Sequence, residues 1–316
     1  MMLTAEEKPV PASGRTAPAP RRTRIPARGG RAGNGTRPRR SALLTALMTL
    51  PLLYSLMPLV WLAINSTKSR DQLFSTFGLW FGDDFALWDN ITGVLTYNDG
   101  IYLRWLANTV LYVAIGAVGA TLLAALAGYG LAKYDFPGRR AFLAVVVGAV
   151  AVPSTALAVP AFLLFGELGL TNTPWAVLIP LLVTPFGLFL LYSYANEAIP
   201  DEIIDAARVD GAGDFRIFFT IALRLLSPAL VSIFLLEVVS AWNNYFLPLI
   251  MLNDPQWFPL TVGLNQWNAQ ANTADGEVIT HLVITGSLLT IIPLVIVFIT
   301  LQRFWQSGLA AGSTKG

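Results

Sequence analysis

Apolar residues in this chain gather in long unbroken blocks. Residues 41–66, 105–132, 141–166, 174–195 and 282–302 contain no Asp, Glu, Lys or Arg, and a sixth block, 225–252, is interrupted only by Glu237. Crossing the hydrocarbon core of a bilayer takes about 20 apolar residues in a helix. A backbone in lipid must satisfy its own N–H and C=O groups, and a helix does so within one segment. The pattern therefore predicts an all-α integral membrane protein with six transmembrane helices. A membrane β-barrel would show ~10-residue alternating strands, and these runs do not alternate.

Within the blocks, two signals predict how the helices pack. Gly116, Ala120, Ala124, Gly128 and Ala132 recur every four residues, which lines small side chains along one face and allows another helix to come close. Pro51 and Pro58 in the first block, Pro153 and Pro160 in the third, and Pro174, Pro180 and Pro185 in the fourth predict kinks, because proline breaks the helical hydrogen-bond ladder. Between the blocks, 67–103 reads as a partly ordered loop with short elements, and 253–280 as a second long loop. Residues 1–40, rich in Pro, Gly, Ala and Arg, cannot bury a core and read as a disordered basic tail. The division is 1–40 and then 41–316, with the core of the membrane domain near 102–304.

Charge adds direction. The net charge is only +2, yet ten of the 21 basic residues precede residue 41. Positive residues are retained in the cytoplasm, which predicts cytoplasmic N- and C-termini. In that arrangement cytoplasmic segments hold 18 basic residues and the opposite loops hold Lys68, Arg70 and Arg104. The tail contains no aromatic residue and leads directly into a membrane segment, so it fits contact with anionic lipid and not nucleic-acid binding. The first apolar run starts too late and runs too long for a signal peptide. The chain has no cysteine. It shows no paired carboxylates, no nucleophile triad and no metal-ligand cluster, which argues against an enzyme.

Charged residues make up 13% of the chain, yet 197–216 holds Glu197, Asp201, Glu202, Asp205, Arg208, Asp210, Asp214 and Arg216. Pro200 suits the start of a helix, whose positive end favours Asp201 and Glu202. Ile203, Ile204 and Ala207 share a face, and Gly211 can end the helix in a left-handed conformation. Asp214 can cap a second helix, with Phe215, Phe218, Phe219 and Ala222 on one side. The segment 197–227 thus reads as a helix–turn–helix at the membrane surface, either a resting amphipathic connector or a docking element.

Asp205-Ala206-Ala207-Arg208-Val209-Asp210-Gly211-Ala212 resembles the signature loop of ABC-importer permeases, in which Glu-Ala-Ala is followed by two variable residues and Asp-Gly-Ala. Asp205 replaces the first Glu; Phe218, Ile221 and Leu223 continue the match, and Arg224 stands where the family usually has Pro. Trp242-Asn243-Asn244-Tyr245-Phe246 with Pro248-Leu249, the run from Pro259 to Leu264, and the end from Leu301 to Gly316 are similar to carbohydrate-uptake permeases of the maltose-permease kind. The resemblance covers most of 41–316. It implies the type I ABC importer transmembrane fold and a place in the bacterial cytoplasmic membrane. It implies partners too: a second permease subunit, two ATPase subunits and an extracytoplasmic sugar-binding protein. The coupling loop would dock on the ATPase through Asp205, Ala206, Ala207, Asp210, Gly211, Ala212 and Phe215, with the small residues allowing close approach and Asp210 holding the turn. No G-x-x-x-x-G-K-[ST] phosphate loop occurs, so ATP and Mg belong to the partner ATPase and no cofactor is expected on this chain.

Glu237 is the one charge deep in a block. A charge at mid-bilayer costs roughly 2.5–3.5 kcal/mol on insertion scales, so it should face the substrate path or hydrogen-bond to a partner permease. Asn243 and Asn244, two helical turns on, either meet sugar hydroxyls, to which an amide both donates and accepts, or bond between helices. Trp257, with Pro259 and Thr261, marks the expected binding-protein contact loop; Trp257 and Trp267 also suit a membrane interface. The expected solute is a sugar or small glycoside. The alternatives are another polar solute such as glycerol phosphate, or an ion-coupled secondary transporter using Glu237, a class that tends to carry grouped membrane charges and repeats.

Overall fold

The computed structural model describes residues 42–273 and 279–312. The expected basic tail at 1–40, the segment 274–278 and the last residues, 313–316, lie outside them. By internal contacts the chain divides into two units, Met1–Pro51 and Leu52–Gly316. The described residues form helices and no strand.

In chain order these are α1 (Ala42–Asn65), α2 (Arg70–Ser75), α3 (Leu87–Lys133), α4 (Arg139–Val150), α5 (Ala158–Glu167), α6 (Trp175–Leu181) and α7 (Pro185–Ala198). Then come α8 (Asp201–Val209), α9 (Asp214–Ile217), α10 (Leu223–Leu225), α11 (Ser227–Trp242), α12 (Phe246–Met251), α13 (Leu260–Ala271) and α14 (Thr280–Gly312). Four stretches are long and apolar enough to cross a membrane: Leu44–Asn65, Leu87–Lys133, Trp175–Ala198 and Thr280–Thr300. Two helix pairs qualify jointly but are sharply bent, by 103° between Arg139–Val150 and Ser154–Glu167 and by 81° between Asp214–Leu225 and Ser227–Trp242. Counting each bent pair as one span gives six.

The blocks and helices differ in instructive places. α3 starts well before the apolar block, and its first turns are set off by non-helical Tyr97, Asn98, Asp99 and Gly100, the last three at positive φ. The third block folds back instead of kinking, with Pro153 at the break. The block interrupted by Glu237, read as one helix over 225–252, is two: α11 ends at Trp242, and α12 begins only at Phe246. Asn243 closes α11 at φ −90°, ψ 5°, so Asn244 lies beyond the helix and off the face that Glu237 occupies. The expectation of three polar residues on one continuous helix is corrected there, because Asn-Asn and the following aromatics end the ladder.

The second unit has two separate apolar cores. One, at the end of the spans that carries α13, buries Tyr102, Trp105, Val177, Trp242, Leu260 and Trp267 among others. The other, at the end that carries α8, buries Ala124, Tyr129, Leu191, Ala195, Ile204, Phe218 and Ile233. They are called here the aromatic end and the loop end. The four-residue stripe of small residues on α3 runs into the loop-end core. At Gly128 a Cβ would lie 2.8 Å from the Tyr192 backbone nitrogen and 3.1 Å from the Leu188 carbonyl oxygen. Glycine is required there because α7 passes backbone against backbone.

Candidate functional site: the polar loop and its surroundings

α8 grows from its sequence as expected at one end and differently at the other. Pro200 sits at the cap position in extended geometry, and Asp201 and Glu202 occupy the first turn, where the helix dipole favours negative charge. At the far end Gly211 has φ +80°. The Ala212 N–H donates to the Ala207 carbonyl (2.9 Å) and the Gly211 N–H to the Arg208 carbonyl (3.0 Å). This bond pair around a left-handed residue closes the helix without any side chain. Asp210, expected to hold the turn, caps the helix through its backbone, its N–H donating to the Ala206 carbonyl at 3.0 Å, while its side chain is exposed. The turn is closed by backbone bonds, and the side-chain fastening comes from Arg208. Its guanidinium lies 3.7 Å from Asp205 and 3.4 Å from Asp214 and over the Tyr134 ring at 5.7 Å. Asp214 is thus the first residue of α9 and a partner of Arg208, while Gly213 stands at the cap.

Which loop residues face outward also departs from expectation. Ile204 and Ala207 are buried in the chain's own core, so Ala207 offers no surface to another protein. Ala206 and Asp205 are exposed, and Ala212 is half-buried. The stripe of Phe215, Phe218, Phe219 and Ala222 is split along its length. Phe218 and Ala222 are 2% and 1% exposed, while Phe215 is 78% and Phe219 57% exposed. A π turn over Phe218–Ala222 carries the chain from α9 into α10. Val209, one of the positions read as variable, is 88% exposed. The loop end therefore presents Val209, Phe215 and Phe219 to the outside, with the carboxylates of Glu202, Asp205 and Asp210 nearby in the chain. Sequence reasoning missed Val209; the signal available was its place one residue before the turn, on the side of α8 opposite Ile204 and Ala207.

The platform is tied to the membrane helices. Lys133 at the end of α3, its side chain 6% exposed, reaches the Asp201 carboxylate at 2.7 Å. The hydrogen bond and charge of Lys133 hold the Asp201 carboxyl below its ordinary value of 3.8. The Tyr134 phenol is pushed up, first by burial and then by its bond to Asp214.

The other candidate residues lie far from the loop. Glu237 is half-buried on α11, and its Oε1 accepts from the Thr184 hydroxyl at 2.7 Å. The exposed side of α11 carries Leu236, Val239, Ser240 and Asn243. The Asn243 amide donates to the Val239 carbonyl at 2.8 Å, and the Asn244 carbonyl accepts from the Thr261 hydroxyl at 2.7 Å. At the aromatic end Trp257 is half-buried beneath the Arg104 guanidinium, 5.4 Å from its ring centre, and Pro259 is buried. The outward-facing residues of this segment are Asn253, Pro255 and Gln256. α3 stitches the segment down: Trp105 Nε1 donates to the Pro255 carbonyl (2.9 Å), Asn108 Nδ2 to those of Gln256 (2.8 Å) and Phe258 (3.0 Å), and Tyr112 Oη to that of Trp257 (2.8 Å).

Residues 117–310 match the family of binding-protein-dependent transport system inner membrane components. This chain belongs to that family. The permease is 34% identical over 283 residues to the arabinooligosaccharides transport system permease protein AraQ of Halalkalibacterium halodurans, covering 89% of this chain and 99% of the relative. It is 31% identical to the lactose transport system permease protein LacG of Rhizobium radiobacter, over 85% of this chain and 94% of that one. Among solved structures, a chain of a bacterial ABC transporter involved in import of the acidic polysaccharide alginate superposes with a TM-score of 0.74 at 25% identity, covering 83% of the permease and 95% of that chain. The permease is a multi-pass protein of the cytoplasmic membrane with the fold of an ABC importer's transmembrane subunit.

Proposed function

We propose that this permease is the membrane-spanning subunit of an ATP-driven importer for a sugar or small glycoside, working with a second permease, two ATPase copies and an extracytoplasmic binding protein. The observation that carries the reading is the loop end: a slim helix closed by Gly211 that presents Val209 and Phe215 to the outside, in a chain without a phosphate-binding loop. Apolar side chains exposed on a well-fastened element mark an interaction surface. In this reading the loop end faces the cytoplasm, with both termini, and receives the ATPase. ATP and Mg reside on that partner. Docking then uses Ala206, Val209, Phe215 and Phe219, with Gly211 shaping the turn.

The aromatic end faces outward in the same reading. The segment around Trp257, Pro259 and Thr261 supports the binding-protein contact, which its exposed residues Asn253, Pro255 and Gln256 would make. The solute passes along the exposed side of α11, near Glu237, Ser240 and Asn243, with Asn244 at its outer end. The choice of sugar over glycerol phosphate or an ion-coupled substrate rests on the relatives: arabinooligosaccharides and lactose are named for the two above, and maltodextrin for a third that is 28% identical, MdxG of Bacillus subtilis.

Reconstitution of the permease with its co-purifying subunits in liposomes, supplied with the binding protein, tests this. ATP-dependent uptake from a panel of arabino-oligosaccharide, lactose, maltodextrin and glycerol phosphate is expected for a sugar and not for the phosphate ester. Uphill movement of any solute by this chain alone, without an ATPase, overturns the reading.

A further inference from the structure

The two apolar cores meet at a polar seam in the middle of the spans. On α3 the aromatic-end core stops at Ala117 and the loop-end core starts at Ala124. α6 belongs to the first core through Ala176, Val177 and Leu178, and α7 to the second through Leu191 and Ala195. On α11 the change falls between Ile233 and Val238. Three polar side chains occupy this seam: Thr121, Thr184 and Glu237. Thr121 is buried, and its hydroxyl has no hydrogen-bond partner among the described residues.

Thr184 lies in the break between α6 and α7 and does two jobs there. Its hydroxyl accepts from the Gly187 N–H at 3.1 Å, capping α7, and donates to Glu237 Oε1 at 2.7 Å. Pro185 follows and brings no N–H of its own. One hydroxyl thus relieves both a freed backbone donor and a carboxylate, each costly inside a membrane. The helices so joined are the two that enter and leave the loop. α7 runs through Ile199 and Pro200 into α8; α11 follows from the Asp214–Leu225 segment by the 81° bend. They are linked at the loop end by the loop itself and at mid-span by this bond.

We infer that Thr184 and Glu237 are positioning residues for transport: their hydrogen bond latches α7 to α11 at the seam, so that a push on the loop moves both helices as one arm and is passed on to the aromatic end. The inference rests on the importer reading above. It gives Glu237 a role through its acceptor oxygen, independent of contact with solute. A carboxylate, or an amide in its place, serves this equally, and a hydroxyl on either threonine or serine suffices at 184.

The test uses the reconstituted complex and two readouts. The first is uptake per ATP hydrolysed, with the sugar that the wild-type complex imports from the panel above. Thr184→Val and Glu237→Leu should keep the assembled complex hydrolysing ATP while uptake per ATP falls at least tenfold; Thr184→Ser and Glu237→Gln should restore it. The double variant Thr184→Val/Glu237→Leu should be no worse than either single change, because both remove one bond. The second readout needs no sugar. The chain has no cysteine, so spin labels at Asn196→Cys on α7 and Ser240→Cys on α11, with partner subunits made cysteine-free, report the separation of the two helices. With Mg-ATP and vanadate the distance distribution should stay narrow in the wild type, Thr184→Ser and Glu237→Gln, and broaden in Thr184→Val and Glu237→Leu. Unchanged coupling and unchanged distances in Thr184→Val overturn the latch. Loss of uptake in Glu237→Gln with normal Thr184→Val also overturns it, in favour of a charge in the solute path. A wild-type complex that imports no panel sugar counts against the importer reading, and the spin-label distances then still decide the latch.

Discussion

The two ends of the membrane domain solve opposite problems. The aromatic end is closed on itself. Trp105 and Trp267 are 1% and 2% exposed, their rings 5.0 Å apart, and four α3 side chains, Arg104, Trp105, Asn108 and Tyr112, hold the segment before α13 through its backbone carbonyls. The loop end is built mainly from Ala, Ile and Leu around Tyr129 and Phe218, packs α3 on α7 at backbone distance, and leaves Val209, Phe215 and Phe219 outside. A segment held in this way turns Asn253, Pro255 and Gln256 outward and keeps Phe258 and Pro259 buried, so the surface it offers a partner is mainly polar. One that fastens its turn by backbone bonds and a single arginine, and exposes apolar side chains, is prepared to receive one. The lesson is that exposure of large apolar groups means most where the surrounding element is rigidly held.

This contrast can be broken most severely at the closed end. Trp105→Ala removes the side chain that packs on Trp267 and bonds to the Pro255 carbonyl. A loss of about 3–5 kcal/mol is expected, read as lower thermal stability of the purified protein, with the loop contacts unaffected. At the open end the expectation reverses. Phe215→Ala should leave thermal stability nearly unchanged and weaken ATPase association by about 1.5–3 kcal/mol, about ten- to a hundredfold in affinity, measured by titrating the ATPase onto the permease in nanodiscs. Equal thermal losses for Trp105→Ala and Phe215→Ala would erase the distinction between the ends.

Smaller changes sharpen it. Gly211→Val forces a branched side chain into a left-handed conformation at about 1–2 kcal/mol and should uncouple uptake while the protein remains in the membrane. Gly211→Asn, which tolerates that conformation, should be milder. Uptake equal for valine and glycine would mean that the turn geometry is unimportant. The least effect belongs to Asp201→Asn, which removes an exposed partner of Lys133. Because the folded-state carboxyl titrates below its ordinary value, the pair contributes at neutral pH and is lost as pH falls through that lowered value. Wild-type stability should therefore drop below about pH 4 by slightly more than that of Asp201→Asn, which has no such group.

Much of the fold was legible because lipid imposes so strict a condition on the backbone. Uninterrupted apolar blocks located the spans and the four-residue stripe located the close contact of α3 with α7; of the prolines, Pro153 and Pro185 stand at breaks, while α1 continues as one helix through Pro51 and Pro58. The loop helix and its end at Gly211 were also readable, since dipole, cap and left-handed preference act within a few residues. What the sequence hid was which side of a short amphipathic helix faces home. Phe215, Phe218, Phe219 and Ala222 form one stripe by spacing. Only the position of α3, through Tyr129 5.4 Å from the Phe218 ring, decides that Phe218 goes in and Phe215 stays out. The same holds for Ala207, taken for a contact surface and found in the core.

By itself the sequence determined that this chain lies in a membrane, where its helices run and where its polar loop turns, because those outcomes follow from local composition and from backbone bonds that close within a few residues. Tertiary structure alone decided that the apolar interior divides into two cores and that Glu237 meets Thr184, 53 positions away in the chain. Such pairings depend on helices distant in sequence arriving side by side, and no local pattern encodes the distance between them.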